Sequence, residues 1–292
     1  MTISQMQRTI AQPVSVSGYG YWSGQDVQVE FRPAPAGSGI RFVRQDLPGT
    51  PEVPARWAYR LPTPRRSSLR HGQAEVQMVE HILAALYGLE IDNCQVWVSG
   101  EEMPGLDGSA WPFVEALQQA GIVVQPVCRP TKRITQRFRL TDGDSWIEVR
   151  PSPTGQTVLE YHLDYGPGNP IGRQLFRTVL TPETFRREIA PARTFLLRQE
   201  AEALLAQGIG LRSRPEDLLV FDAQGPIHNR LRFPEECARH KLLDLVGDLA
   251  LAGHRVIGEF VAFRSGHRLN AELVQILDRL ADEDLQSMKQ CA

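Results

Sequence analysis

Two prolines, Pro126 and Pro130, constrain this 292-residue chain more than any other feature, because each lacks a backbone N–H and has its φ locked by its ring. The segment Pro126-Val127-Cys128-Arg129-Pro130 is therefore read as a linker that no regular element crosses, dividing the chain into residues 1–126 and 127–292. The two parts repeat one order of elements. In the first, a helix is predicted from about Glu75 to Leu89, with Val76, Val79, Leu83 and Leu86 at helical spacing. A strand Gln95–Val98, a loop with Gly and Pro, and a helix Pro112–Ala120 follow. The second runs helix Pro234–Leu251, strand Val256–Phe263, loop Arg264–His267 and helix Asn270–Leu280. Ahead of the first helix, alternation as in Val27-Gln28-Val29-Glu30-Phe31 predicts short antiparallel strands. The expected fold is α+β: two similar two-layer α/β sandwich domains with mainly antiparallel sheets, and a site between them that draws side chains from both.

Charge narrows the partner. A formal net charge of −2 provides no basic field for nucleic acid, which leaves a small molecule as the expected ligand. Cys94, Cys128, Cys237 and Cys291 form no CxxC pair, so neither a disulfide framework nor a zinc ribbon is expected. Residues Met1 to Gln12 lack an apolar run behind a basic start, and no window reaches the roughly 20 apolar residues of a membrane span. A soluble, cytoplasmic, monomeric protein is the expectation.

The strongest local signal is His240-Lys241-Leu242-Leu243-Asp244, inside an otherwise apolar helical stretch. At 100° per residue His240, Asp244, Gly247 and Leu251 share one stripe, with Asp248 at its margin, so an imidazole and a carboxylate can aim at one point. An isolated HxxxD is also common on solvated helix faces. A second candidate is Glu80-His81, where His81 shares a face with the small residues Ala84, Ala85 and Gly88, while Glu80 points about 100° away. Taken together, His81, His240 and Asp244 supply two nitrogens and an oxygen, the count that a catalytic zinc uses while keeping one position open. Glu80 is then an adjacent carboxylate outside the ligand set, as a general base requires. Ser265-Gly266-His267 offers either a surface histidine or a proton donor, and Ala192-Arg193-Thr194-Phe195, after Pro191, either a hydroxyl in a cleft or a loop anchor.

Val79-Glu80-His81-Ile82-Leu83-Ala84-Ala85-Leu86, Ile91-Asp92-Asn93 and Leu106-Asp107-Gly108-Ser109-Ala110 occur in order with the three motifs just named. In this combination the chain resembles the UDP-3-O-acyl-N-acetylglucosamine deacetylases of lipid A biosynthesis, from Gln7-Arg8-Thr9 to the last helix. The resemblance implies a duplicated α/β sandwich with the active site between the domains, and Zn2+ on His81, His240 and Asp244. It further implies that Glu80 is the general base, His267 the general acid or electrostatic partner supported by Asp248, and Thr194 a donor to the developing oxyanion. Phe195 and Lys241 match positions that line the substrate site, and Asp164-Tyr165 a pair associated with the nucleotide. The implied substrate is a nucleotide-sugar glycolipid. Trp22, Ser145 and Leu196 stand where a histidine, a lysine and a glycine are common in that family, and Arg212 to Leu219 also departs from its wording.

Two other functions fit parts of the pattern. A zinc peptidase on an HExxH helix is not expected, because Lys241 follows His240 and the fourth residue on is Asp244. A non-catalytic RNA- or protein-binding module on a duplicated α+β fold is the alternative, and it needs neither stoichiometric metal nor Glu80.

Overall fold

Strands Val14–Tyr19, Asp26–Pro33, Cys94–Val98, Ile40–Arg44 and Glu52–Pro54 lie side by side in that spatial order, and Phe138–Asp142, Ser145–Arg150, Glu259–Phe263, Val158–Asp164 and Arg173–Val179 repeat it. In each sheet the third strand meets the fourth in parallel, and every other pairing is antiparallel. This is the duplicated α+β architecture expected from the repeated order of elements. The alternation behind it is visible in Asp26–Pro33, where Val27, Val29 and Phe31 are buried and Gln28 points to solvent. Such a period of two marks a sheet with one face packed and one wet. The computed structural model describes the backbone of residues 6–290 and the side chains of residues 6–279.

Among the described residues six α-helices accompany the sheets: α1 (Glu80–Gly88), α2 (Trp111–Gln119), the single turn α3 (Pro182–Thr184), α4 (Arg198–Leu205), α5 (Glu236–Ala250) and α6 (His267–Gln290). α5 and α6 pack on the second sheet, α2 on the first, and α1 lies against α5. All nine residues of α1 are buried, as a helix apolar on almost every side must be to leave water. Glu80 and His81 therefore sit where an unpartnered polar group costs free energy, so their neighbours have to provide hydrogen bonds or charge. No helix among the described residues is long and apolar enough to cross a membrane. Cys94 and Cys237 are buried free thiols, while Cys291 lies outside the described residues.

Three sequence expectations are corrected. Residues Ala74–Gln77 form a strand paired with Ser68–His71, so the first helix starts at Glu80 and not near Glu75. Met78 separates the two with φ at 57°, a left-handed step that breaks the helical run implied by Val76 and Val79. The segment after Pro126 is not free of regular structure, since strand Ile122–Cys128 runs through it and pairs with Met6–Ile10. The register shifts opposite Met6 and Arg8, and an edge strand with such an irregularity tolerates a proline that a central strand would not. The span Val256–Phe263 is two strands, Arg255–Ile257 and Glu259–Phe263, which join different sheets. Gly258 turns the chain between them, where a β-carbon would meet Ile134 at 2.7 Å.

Candidate active site

The crossing of α1 and α5 brings the two strongest motifs together. Gly247 permits it, since a β-carbon there would lie 2.1 Å from the Glu80 carbonyl oxygen. His81, His240 and Asp244 are all buried, and one ligand atom from each lies within 4.8 Å of the others, a group that can hold a metal ion. The Asp244 Oδ1 atom is 3.8 Å from His81 Nε2 and 3.5 Å from His240 Nε2. His240 Nδ1 faces the Ala192 carbonyl at 3.1 Å, and donating there leaves Nε2 unprotonated toward the cluster. Burial first, and then the neighbouring His240, pushes His81 down to about 3, so its imidazole is neutral. Burial opposes the charge on Asp244, yet Lys241 and the surrounding histidines hold its carboxyl well below the usual range. Lys241 Nζ donates to Asp244 Oδ2 at 2.7 Å, and that carboxylate outweighs burial in raising the lysine. Two neutral imidazoles and an ionised carboxylate are the protonation states that a divalent metal requires, so this donor set fits a divalent metal such as zinc.

Beside the cluster, Glu80 Oε1 and His267 Nε2 stand 3.9 Å apart. Burial lifts Glu80 to about 7, against the opposing pull of His267. Burial would lower His267, but Asp248 and Asp244 outweigh it and raise the histidine to about 9. Asp248 Oδ2 accepts from His267 Nδ1 and from Asn270 Nδ2, each at 2.9 Å, which fixes the ring and turns Nε2 toward Glu80. Ser67 donates to Asp248 Oδ1 at 2.6 Å, and nothing local in the sequence marks a lone Ser or Asn as part of a buried network. Each contributes to this one.

The loop Leu106-Asp107-Gly108-Ser109-Ala110 belongs to the first half but braces the second. The Thr194 backbone N–H donates to Gly108 O at 2.7 Å, and Gly108 has φ at 74°, which favours glycine. Arg193 is buried and donates through Nε to Glu236 Oε1 at 2.8 Å, anchoring Thr194 to the start of α5. The Thr194 hydroxyl then lies 3.0 Å from His240 Nε2. By contrast Asp92 accepts from Arg129 Nε at 2.8 Å and from the Arg8 backbone N–H at 2.8 Å, so Ile91-Asp92-Asn93 supports the scaffold away from the cluster.

A cavity of about 940 Å³ opens over the cluster, and Phe195, Lys241, Asp164 and Tyr165 all line it. The Phe195 ring packs edge-on to His240 at 6.1 Å and to Tyr165 at 6.1 Å. Asp164 is held by the Gly166 N–H at 2.8 Å and by Arg173 Nε at 3.1 Å. The departures Trp22, Ser145 and Leu196 line the same cavity, and the Arg66 guanidinium lies 4.3 Å above the Trp22 ring.

A repeated α+β fold that encloses a His–His–Asp cluster next to a carboxylate and a histidine has the form of a metal-assisted acid–base site. The model of the UDP-3-O-acyl N-acetylglycosamine deacetylase family matches residues 7–279 of the chain. A UDP-3-O-acyl-N-acetylglucosamine deacetylase of an Anaeromyxobacter species is 42% identical over 271 residues, covering 92% of this chain and 87% of the relative. Proteins of the same name from Thermosynechococcus vestitus and Brucella ovis are 39% and 40% identical, over 94% and 95% of this chain and 95% and 96% of their own lengths. The chain belongs to the UDP-3-O-acyl N-acetylglycosamine deacetylase family.

Proposed function

We propose that the chain is a zinc-dependent amidohydrolase of the cytoplasm that removes the acetyl group from UDP-3-O-acyl-N-acetylglucosamine, releasing acetate and a free amine, the committed step of lipid A biosynthesis. Membership of the family supports the substrate class. The observation that carries the chemistry is the pair of the buried Glu80 and the partly buried His267, 3.9 Å apart at the edge of a cluster able to hold a metal. We assign the metal to His81, His240 and Asp244, with the ligands divided between residues 1–126 and 127–292.

Zinc held there supplies Lewis acidity, which lowers the pKa of water and polarises the acetamide carbonyl. Glu80 takes the proton from the attacking water, a task suited to a carboxylate lifted to about 7 by burial. His267, kept protonated by Asp248, gives its proton to the departing nitrogen. Thr194, whose hydroxyl lies 3.0 Å from His240 Nε2, would donate to the developing oxyanion, a contact typically worth about 3 kcal/mol of barrier. Lys241 pairs with Asp244 and lines the cavity with Phe195, and we assign Asp164 and Tyr165, which line the same cavity, to contact with the nucleotide. The substrate is a small glycolipid and the acting species a monomer.

The test is to purify the chain with its metal retained and follow acetate release from the acylated UDP-amino sugar. Stoichiometric acetate and free amine are expected. A metal-replete preparation that releases none overturns the reading.

A further inference from the structure

Ser67 stands directly before strand Ser68–His71, and its carbonyl accepts from the Val79 N–H at 3.2 Å, so its backbone is tied to the start of α1. The residue is fully buried. Its backbone N–H donates to Glu80 Oε2 at 3.0 Å, and its hydroxyl donates to Asp248 Oδ1 at 2.6 Å. The same hydroxyl oxygen is 3.4 Å from His267 Nδ1. One residue therefore touches both the carboxylate of α1 and the carboxylate of α5 that holds His267.

The side chain of Asp248 is 1% exposed, and a carboxylate removed from water needs several donors. Two of them, His267 and Asn270, come from α6 and bind one oxygen. The other oxygen takes Ser67, which comes from the other half of the chain. Without that hydroxyl, Oδ1 loses its donor and the carboxylate is held through Oδ2 alone, the oxygen that also holds the His267 ring. Glu80 sits on one helix and His267 on another, so no local geometry sets the distance between them. Ser67 is bonded to both sides of the pair, to Glu80 directly and to His267 through Asp248.

Resting on the roles given to Glu80 and His267 above, we propose that Ser67 is a positioning residue for the acid–base pair. Its hydroxyl orients Asp248 and through it His267, at a spacing from Glu80 that its own N–H fixes. A serine buried only for packing would share the burial but not the dependence on His267.

That dependence is measured by kcat and KM for Ser67→Ala and Ser67→Cys, alone and combined with His267→Ala, at equal metal content and with melting temperatures recorded. Ser67→Ala keeps the N–H to Glu80 and removes only the hydroxyl, and kcat is expected to fall about tenfold, the scale of one hydrogen bond to a charged group, with KM nearly constant. Ser67→Cys keeps the volume but donates weakly, so it moves kcat the same way and serves if the alanine variant does not fold. With His267 already removed, either substitution adds less than about twofold, because the group being positioned is gone. An unchanged kcat in both single variants, or an equal tenfold loss with and without His267, overturns the proposal. A His267→Ala enzyme that turns over normally is a different result: it removes the acid assignment itself, and with it anything for Ser67 to position.

Discussion

Gly247 of α5 lies against Glu80 of α1 so closely that a β-carbon would stand 2.1 Å from the Glu80 carbonyl oxygen. In an exposed helix interior, replacing Gly by Ala gains about 1 kcal/mol. Here the methyl has backbone in its way, and separating the helices costs about 1–3 kcal/mol, so the sign reverses. Gly247→Ala is expected to lower the melting temperature and, by moving His81 away from His240 and Asp244, to lose metal as well. A variant as stable and as metal-replete as the wild type shows that the crossing is looser than described.

His81→Ala and His240→Ala are each expected to lower bound metal to below about a tenth of an equivalent, because a site with three ligands from two helices does not survive on two. Metal per chain is read by elemental analysis after gel filtration. Full metal in the double variant would remove the ligand assignment.

Glu80→Gln and His267→Ala separate chemistry from metal binding, since neither residue belongs to the ligand cluster. Both should fold, keep their metal, and lose about 10²-fold or more in turnover, the usual scale of general acid–base catalysis. Near-normal deacetylation by either, at matched metal content, means that another group moves the proton.

The pH profile follows from signs. With Glu80 as the ionised base and His267 as the protonated acid, as proposed, activity is expected to fall as pH drops through about 7 and again as pH rises through about 9. A cation at the cluster favours the carboxylate and disfavours the imidazolium, which moves both limbs downward and keeps the bell between them. The alkaline limb is expected to vanish in His267→Ala, and its persistence there would assign it elsewhere.

Trp22 is the departure with the clearest structural partner, the Arg66 guanidinium 4.3 Å above its ring. Trp22→Ala removes an aromatic wall of the cavity together with a contact worth about 0.5–1 kcal/mol at exposed sites. It is expected to raise KM several-fold with little change in kcat, whereas Ser145→Ala is expected to move neither greatly. Unchanged substrate affinity in Trp22→Ala would mean that the ring does not face the ligand.

The sequence alone determined the features that depend on neighbours along the chain. The four-residue step from His240 to Asp244 aligns two ligand types on one helical face whatever surrounds the helix, and the alternation in Asp26–Pro33 marks a half-buried strand in the same way. The repeated order of helix, strand and helix therefore implied the duplication. What required tertiary structure was every relation between residues far apart. That His81 meets His240 depends on α1 crossing α5 at Gly247, and that Glu80 and His267 form a pair depends on Asp248 and Ser67 arriving from different halves. The local errors have the same origin: pairing with Ser68–His71 made Ala74–Gln77 a strand, and pairing with Met6–Ile10 carried a strand through Pro126. Local propensities differ by less than a long-range pairing contributes, so the partner decided the conformation where the two disagreed.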